Sequence, residues 1–236
     1  MLEKLYRVER QNVDFDKTYD TNDSNYGKNF DFKNHNIFLN SYLQIMKVND
    51  ISVDFLVEIN NNIYSMGDIY LEKIENAIVT GDFIDIYQVT GNDKHQNQKI
   101  HIKWINYFIK SLDENNGFKE FYNGSYLWEF ILEFVRCNLF KNAPNRLNSV
   151  FFFNDIDSCD YYIKKHLNGI GRKFEIETIQ PTNHFKGDMK IIDNIENQIM
   201  FEDLFNEFAD YWRGKMVSDP IEEIIYQGTY KYTKAV

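Results

Sequence analysis

Residues 150–153, with the sequence VFFF, constrain the fold of this chain more than any other stretch. Four consecutive residues that favour β-structure, with no polar residue among them, predict a strand that is buried on both faces. Such a strand lies in the middle of a sheet. Arg146 and Ser149 come just before it, so we expect the sheet to hold both side chains in fixed positions at the start of the strand. The plainer interpretation is that Arg146 is a solvated loop residue and that Ser149 stabilises a turn.

Composition places the chain among globular proteins. Its 236 residues are 43% hydrophobic and 17% aromatic, which is enough for a sizeable core in one domain, with or without an insertion. Cys137 and Cys159 are too few for a disulfide framework, and neither has a partner at zinc-ligand spacing. Because the chain shows no secretory signal and no apolar stretch long enough to span a membrane, we expect a cytoplasmic protein. A net charge of −10 argues against general packaging of nucleic acid.

The N-terminal half combines one strand, a long polar stretch and a helical region. Residues 4–8 alternate polar and apolar side chains and predict a strand that carries Arg7. Residues 14–36 are mostly Asp, Asn and Lys, which is typical of a long loop. Helical spacing dominates from residue 37 to about residue 115, with a strand expected at residues 83–89. We interpret residues 30–120 as a mainly helical insertion.

The histidines of this insertion do not predict a metal site. His35, His95 and His101 are irregularly spaced, and surface positions explain them better than coordination of a metal ion. We therefore expect no metal in this protein.

The C-terminal half alternates helices and strands. We predict helices at residues 124–138, 157–166 and 199–212, a strand at residues 172–179, and within residues 220–232 a strand, a turn or bulge at Gly228 and a last strand. The pair Glu222 and Glu223 lies directly before two apolar Ile residues, a place where packing alone explains a carboxylate poorly.

Several short motifs, taken in order, resemble the ADP-ribosyltransferases, and within them a family of bacterial stand-alone proteins of uncharacterised-domain type. The motifs lie at residues 5–9, 133–136, 139–151, 174–177, 187–189, 209–214 and 220–228. The resemblance covers roughly residues 129–236 and about ten residues at the N-terminus, and Asn145 stands where the family often has Ser. It implies an α+β fold with a split mixed sheet and flanking helices, as a single domain over residues 1–236 that contains the insertion.

The resemblance assigns catalytic roles to two residues. Cleavage of the bond between nicotinamide and ribose in NAD, the implied co-substrate, passes through a positively charged sugar that a fixed carboxylate stabilises. By resemblance Glu223 is that carboxylate, with Glu222 as its competitor, because side chains alternate along a strand. Ser149 would bind the ribose or hold Glu223. Asp188 would be either a supporting residue or a simple turn residue.

The resemblance also implies a set of NAD-binding residues. Arg7 and Arg146 would bind the diphosphate, since guanidinium groups suit bidentate contacts with phosphate. Tyr162 and Trp212, with Tyr161 as another candidate, would supply an aromatic face for nicotinamide. We expect Arg7 and Glu223 to converge with Arg146 and Ser149 on one cleft.

The implied activity is mono-ADP-ribosylation of a macromolecule, either a protein side chain or a nucleic-acid base. Proteins with this activity include toxins, phage-defence proteins and phage effectors, so the resemblance implies one of these roles. An antitoxin or inhibitor protein would then be a further partner. The acidic charge favours a protein acceptor, whereas a cluster of cationic and aromatic residues in the insertion favours single-stranded nucleic acid. That cluster contains Lys94, His95, Lys99, His101, Lys103, Trp104, Tyr107 and Lys110. The alternative function is a catalytically inactive binding module of the same fold.

Overall fold

The chain forms an α+β protein with an antiparallel sheet. The computed structural model describes residues 4–29, 32–49, 51–78, 82–85, 87, 98–114, 125–196 and 199–236. The chain divides into two compact units: Met1–Phe30, Glu133–Ile195 and Asn206–Val236 form the first, and Asp31–Leu132 and Glu196–Phe205 form the second. Nearly all of the predicted insertion thus belongs to the second unit.

The described residues contain the following helices and strands. The strands are β1 (Leu5–Glu9), β2 (Tyr19–Asp20), β3 (Phe83–Asp85), β4 (Lys99–His101), β5 (Val150–Phe153), β6 (Arg172–Asp188) and β7 (Glu222–Ala235). The helices are α1 (Phe32–Asn49), α2 (Val53–Met66), α3 (Asp68–Ile78), α4 (Ile102–Glu114), α5 (Ser125–Leu139), α6 (Ile156–His166), α7 (Met189–Asp193) and α8 (Phe201–Trp212). Short 3-10 helices occupy Tyr26–Asn29 and Arg146–Asn148.

The predictions for the apolar elements are confirmed. β1, β5, α5, α6 and α8 lie where the hydrophobic pattern placed them, with ends that differ by no more than two residues. Asp155 caps the N-terminus of α6, since its carboxylate accepts a hydrogen bond from the Ser158 amide at 2.6 Å.

Two predictions for polar segments are wrong, and a third is wrong in one of its two forms. The strand predicted to end at residue 179 continues to Asp188, because β7 pairs with it from Phe174 to Asp188. At Gly228 the prediction was a turn or a bulge: β7 continues through Gly228 without a turn, but its register with β6 shifts next to the Pro181–Gly228 pair, as at a β-bulge. The predicted loop at residues 14–36 contains β2 and a 3-10 helix, and α1 begins within it. Of the strand predicted at residues 83–89, β3 forms the first part; residues 86, 88 and 89 lie outside the described residues.

Four strands of the first unit close on themselves. The sheet has the order β2-β7-β5-β1-β6, and β6 also pairs with β7, so β7, β5, β1 and β6 form a ring. Every strand pairing among the described residues is antiparallel, so the prediction of a mixed sheet is wrong. The connection between β6 and β7, which contains α7 and α8, brings the chain back in the opposite direction.

The two faces of this ring carry separate cores. The inner face is filled by Leu5, Val150, Phe152, Phe174, Ile176, Ile224, Tyr226, Tyr230 and Tyr232. The outer face carries Tyr6, Val8, Phe153, Cys159, Met189 and Ile221, with side chains of α6 packed against them. β5 contributes to both cores, which is why its sequence has no polar position.

The second unit buries apolar residues of α1 to α4 and of the β3–β4 hairpin. Fully buried examples are Tyr42, Ile45, Met46, Phe55, Ile59, Tyr70, Ile84, Ile105, Phe108 and Leu112. Over the described part of the chain, no helix combines the length and the apolar character needed to cross a membrane.

Gly228 allows β6 and β7 to approach each other closely. Its φ is +133°, and a Cβ atom there would lie 2.1 Å from the Gln180 carbonyl oxygen. We expect Gly228→Ala to lower the free energy of unfolding by at least about 2 kcal/mol, because backbone strain and a backbone clash add together. Gly169→Ala is the matched control, since Gly169 has φ +79° with nothing within 4 Å of its would-be Cβ. Urea denaturation should show the larger loss for Gly228→Ala; equal losses would contradict the importance of the close approach.

Candidate functional site

A cavity of about 410 Å³ lies where β1 and β5 separate. Tyr6 opposite Phe153 is the registered pair that joins these strands, and beyond it residues 7–11 and the start of β5 diverge. The remaining walls are formed by residues 24–26, by Tyr162 of α6 and by Leu167, which follows α6. The opening therefore exposes groups from both faces of the ring to one cavity.

Arg7 is the principal cation of this cavity. Its Nε donates to Glu9 Oε1 at 2.5 Å, and its guanidinium carbon lies 5.6 Å from the centre of the Tyr230 ring. Burial works against its charge, but the neighbouring Tyr230, Glu9 and Tyr232 outweigh this effect and raise the pKa of Arg7. Its Nη1 is buried and has no hydrogen-bond partner. An unpaired buried donor is costly, so this N–H group is well suited to an anionic ligand.

Arg146, Tyr211 and Glu223 form a buried cluster beside the cavity. Arg146 Nη1 donates to Glu223 Oε1 at 2.9 Å and to the Tyr211 hydroxyl at 2.6 Å. The Tyr211 hydroxyl donates in turn to Glu223 Oε1 at 2.6 Å. No hydrogen bond reaches Glu223 Oε2 from the residues that the structure describes. One carboxylate oxygen is thus fixed by two donors, and the other is left for a further contact.

The cluster adjoins the cavity through two phenylalanines of β5. The Arg146 guanidinium lies 4.6 Å from the centre of the Phe151 ring, and Glu223 is the register partner of Phe153. Phe151 and Phe153 both line the cavity, whereas Arg146 and Glu223 do not. The cluster is therefore one side chain away from the cavity space.

Tyr162 is influenced by the charges of both Arg7 and Glu223. Its ring lines the cavity and packs on Phe153 with 5.4 Å between ring centres. Burial raises the pKa of Tyr162, the negative charge of Glu223 adds to the rise, and Arg7 opposes it. A ligand in contact with this hydroxyl would thus experience both Glu223 and Arg7.

Ser149 and Trp212 are placed differently from their predicted roles. The Ser149 hydroxyl donates to the Asn145 carbonyl oxygen at 2.6 Å, which fixes the turn before β5. Trp212 is only 2% exposed and packs on Phe185, with 5.1 Å between ring centres. Among the predicted stacking residues, Tyr162 has its ring in the cavity; the Tyr161 hydroxyl bonds to Asp193.

Arg7 and Glu223 lie on opposite faces of the ring. Tyr6, Phe153 and Glu223 are successive register partners, so their side chains share the outer face, and Arg7 follows Tyr6 on the inner face. The two side chains approach the same region only at the opening between β1 and β5. The cleft is therefore a passage through the ring wall and not a groove on one face.

Comparison with known proteins identifies the family. A family model described as "Protein of unknown function (DUF2441)" matches residues 9–236. The chain belongs to this family. The matched region includes the Arg146–Tyr211–Glu223 cluster, and Arg7 precedes it. No curated protein matches the sequence.

Two supporting residues of this family member are Tyr211, which was assigned no role from the sequence, and Asp188. Tyr211 lies within the predicted helix 199–212 and within the motif at residues 209–214. Asp188, which is 0% exposed, caps α7 and accepts hydrogen bonds from the backbone amides of Val217 and Ile221 at 2.9 and 3.0 Å. It thereby fixes the segment that leads into Glu223, in agreement with the supporting role that was one of its two interpretations.

The cationic and aromatic cluster of the insertion is only partly described. Lys94 and His95 lie outside the described residues. On α4, the Lys103 ammonium lies 5.3 Å from the centre of the Trp104 ring, and Tyr107 is 46% exposed. Within the described ranges, no group of three or more His, Cys, Asp or Glu side chains is placed to hold a metal ion.

Proposed function

We propose that the protein is an NAD-dependent mono-ADP-ribosyltransferase that modifies a macromolecular acceptor. The observation that carries the proposal is a buried carboxylate, Glu223, whose Oε1 is fixed by Arg146 and Tyr211 beside a cavity that Arg7 lines. A fixed anion next to a cationic cavity suits a substrate with a sugar that becomes positively charged and a diphosphate that is already negative.

The cavity has the volume of a small-molecule site and carries guanidinium groups. Its volume of about 410 Å³ is within the range of small-molecule sites. Arg7 would bind the diphosphate through its unpaired Nη1, and Arg10 on the cavity wall adds a second guanidinium group. Tyr162 offers an aromatic surface for the nicotinamide or adenine ring.

The reaction would proceed by cleavage of the bond between ribose C1′ and the nicotinamide nitrogen. Both electrons of this bond go to the ring, which leaves as neutral nicotinamide. The Glu223 carboxylate stabilises the positive charge that develops on the ribose. The nucleophile of the acceptor forms the new bond to C1′, and its proton passes to the carboxylate.

The test is incubation of the protein with NAD labelled in its adenylate part and total cell lysate. We expect label to become bound to macromolecules. Release by protease alone would identify a protein acceptor, and release by nuclease alone would identify a nucleic-acid acceptor. Absence of bound label, with nicotinamide still attached to NAD, would contradict the proposal.

A second candidate is a binding module of the same fold without catalysis. One observation favours it: Glu223 is only 2% exposed and does not line the cavity. If its ion pair with Arg146 serves only the fold, NAD or another nucleotide would bind and be recovered intact. Calorimetric binding together with chromatography of the recovered nucleotide distinguishes the two functions.

A further inference from the structure

Tyr211 occupies the centre of the buried cluster. It is 0% exposed, and its hydroxyl lies 2.6 Å from both Arg146 Nη1 and Glu223 Oε1. The hydroxyl accepts from the cation and donates to the anion, so its single proton is directed at the carboxylate. This arrangement links all three side chains in one closed set of hydrogen bonds.

The neighbouring strand is shaped to accommodate the Tyr211 ring. Gly187 of β6 is the register partner of Glu223, and a Cβ atom at this position would lie 2.6 Å from Tyr211 Cε2 and 2.9 Å from Cζ. A side chain beside Glu223 on this strand would therefore displace the ring and its hydroxyl. Phe185 and Trp212 pack on the ring with centre distances of 5.8 and 5.2 Å and complete its support.

An ion pair alone does not fix a carboxylate in one orientation. Arg146 reaches Glu223 with one nitrogen, Nη1, and a single contact leaves the carboxylate free to rotate about its last torsion angle. The second donor, from Tyr211, meets the same oxygen, Oε1. Two donors from different elements define where Oε1 lies and therefore which oxygen remains for the substrate.

We propose that Tyr211 is a positioning residue that acts through Glu223. Its hydroxyl, together with Arg146, holds Oε1 so that Oε2 meets the ribose of the substrate. This inference rests on the proposed function. It also gives Arg146 a different role from the one that the family resemblance implies. The Arg146 guanidinium positions Glu223 and does not bind the diphosphate.

The test is Tyr211→Phe, which removes the hydroxyl and keeps the ring. Initial rates of nicotinamide release over a range of NAD concentrations give kcat and KM separately. We expect kcat to fall about 10- to 100-fold, because a reacting group is misplaced, and KM for NAD to change less than about twofold, because the NAD-binding groups are intact. A residue that only supports the fold would not produce this difference between kcat and KM.

Tyr226→Phe is the matched control. Tyr226 is also 0% exposed, and its hydroxyl donates to the Thr229 carbonyl oxygen at 2.8 Å within the inner core. The control loses a buried tyrosine hydroxyl from the same unit, so a comparable fall in thermal midpoint is expected, with kcat within about twofold of wild type.

The outcomes separate this inference from the proposed function. Wild-type protein that releases nicotinamide, with Tyr211→Phe at wild-type kcat, would overturn the role of Tyr211 and leave the function intact. Equal losses of kcat in Tyr211→Phe and Tyr226→Phe would overturn it as well. Wild-type protein that releases no nicotinamide would overturn the proposed function and this role together.

Discussion

Replacing Glu223 with glutamine is expected to lower kcat for ADP-ribosyl transfer by about 10²- to 10³-fold, as loss of a group that stabilises transition-state charge does in other enzymes. The amide keeps the shape of the side chain but not the negative charge that stabilises the sugar. It also leaves the buried Arg146 without the charge it contacts at 2.9 Å, so we expect the free energy of unfolding to fall by about 1–3 kcal/mol. Steady-state rates and thermal melts of the same preparation measure both effects.

Glu222→Gln is the control for that variant. Glu222 precedes Glu223 on β7, so its side chain has the opposite direction, and it accepts a hydrogen bond from Asn154 at 2.6 Å and pairs with Lys186. Its replacement should leave kcat close to that of wild type. If Glu222→Gln were inactive and Glu223→Gln active, the catalytic assignment would pass to Glu222; full activity in both variants would exclude a catalytic carboxylate at this position.

Replacing Arg7 with lysine is expected to weaken binding of NAD about 10- to 100-fold, equivalent to about 1.4–2.8 kcal/mol. An ammonium group keeps the charge but lacks the planar set of donors, which includes the buried Nη1 that has no partner. Isothermal titration calorimetry with NAD and with ADP-ribose measures the change. Both ligands contain the diphosphate, so both should lose affinity to the same extent.

Arg172→Lys is the matched control for Arg7. Arg172 begins β6, is exposed, and bonds to Asn12 outside the cavity. Its replacement should leave the affinity for NAD unchanged. Similar losses in the two variants would show that the effect is not specific to Arg7, and unchanged affinity in Arg7→Lys would remove Arg7 from the binding site.

The elements around the site were predictable because their residues are apolar. Residues 150–153 have no polar position, and only a strand buried on both faces explains such a run at this length. β6 could not be predicted to its full length, since residues 177–186 are largely exposed and are held in a strand by pairing with β7. A local pattern contains no information about such a partner.

The relation between Arg7 and Glu223 required the register of three strands. Alternation within β1 shows that Arg7 and Tyr6 have opposite directions, and alternation within β7 shows the same for Glu222 and Glu223. Which of these share a face depends on the pairings of Tyr6 with Phe153 and of Phe153 with Glu223. These pairings are made by tertiary contacts, so the sequence alone could not show that Arg7 and Glu223 lie on opposite faces.

The roles of Ser149 and Tyr211 illustrate two further limits. The bond from the Ser149 hydroxyl to the Asn145 carbonyl spans four residues, and local bonds of this kind are a known alternative for serine before a strand. Tyr211 fits the apolar stripe of α8 as well as any aromatic residue does. Periodicity detects its ring but not its hydroxyl, whose partners, Arg146 and Glu223, are 65 and 12 residues away.

The most direct measurement is the release of nicotinamide from NAD by the purified protein in the presence of cell lysate, followed by chromatography. The arrangement of Arg7, Tyr211 and Glu223 predicts that nicotinamide accumulates with time, in step with macromolecule-bound ADP-ribose, and that Glu223→Gln slows both by about 10²- to 10³-fold. NAD recovered intact after prolonged incubation with wild-type protein, under conditions in which calorimetry shows that it binds, would contradict the proposed catalysis and favour the binding module.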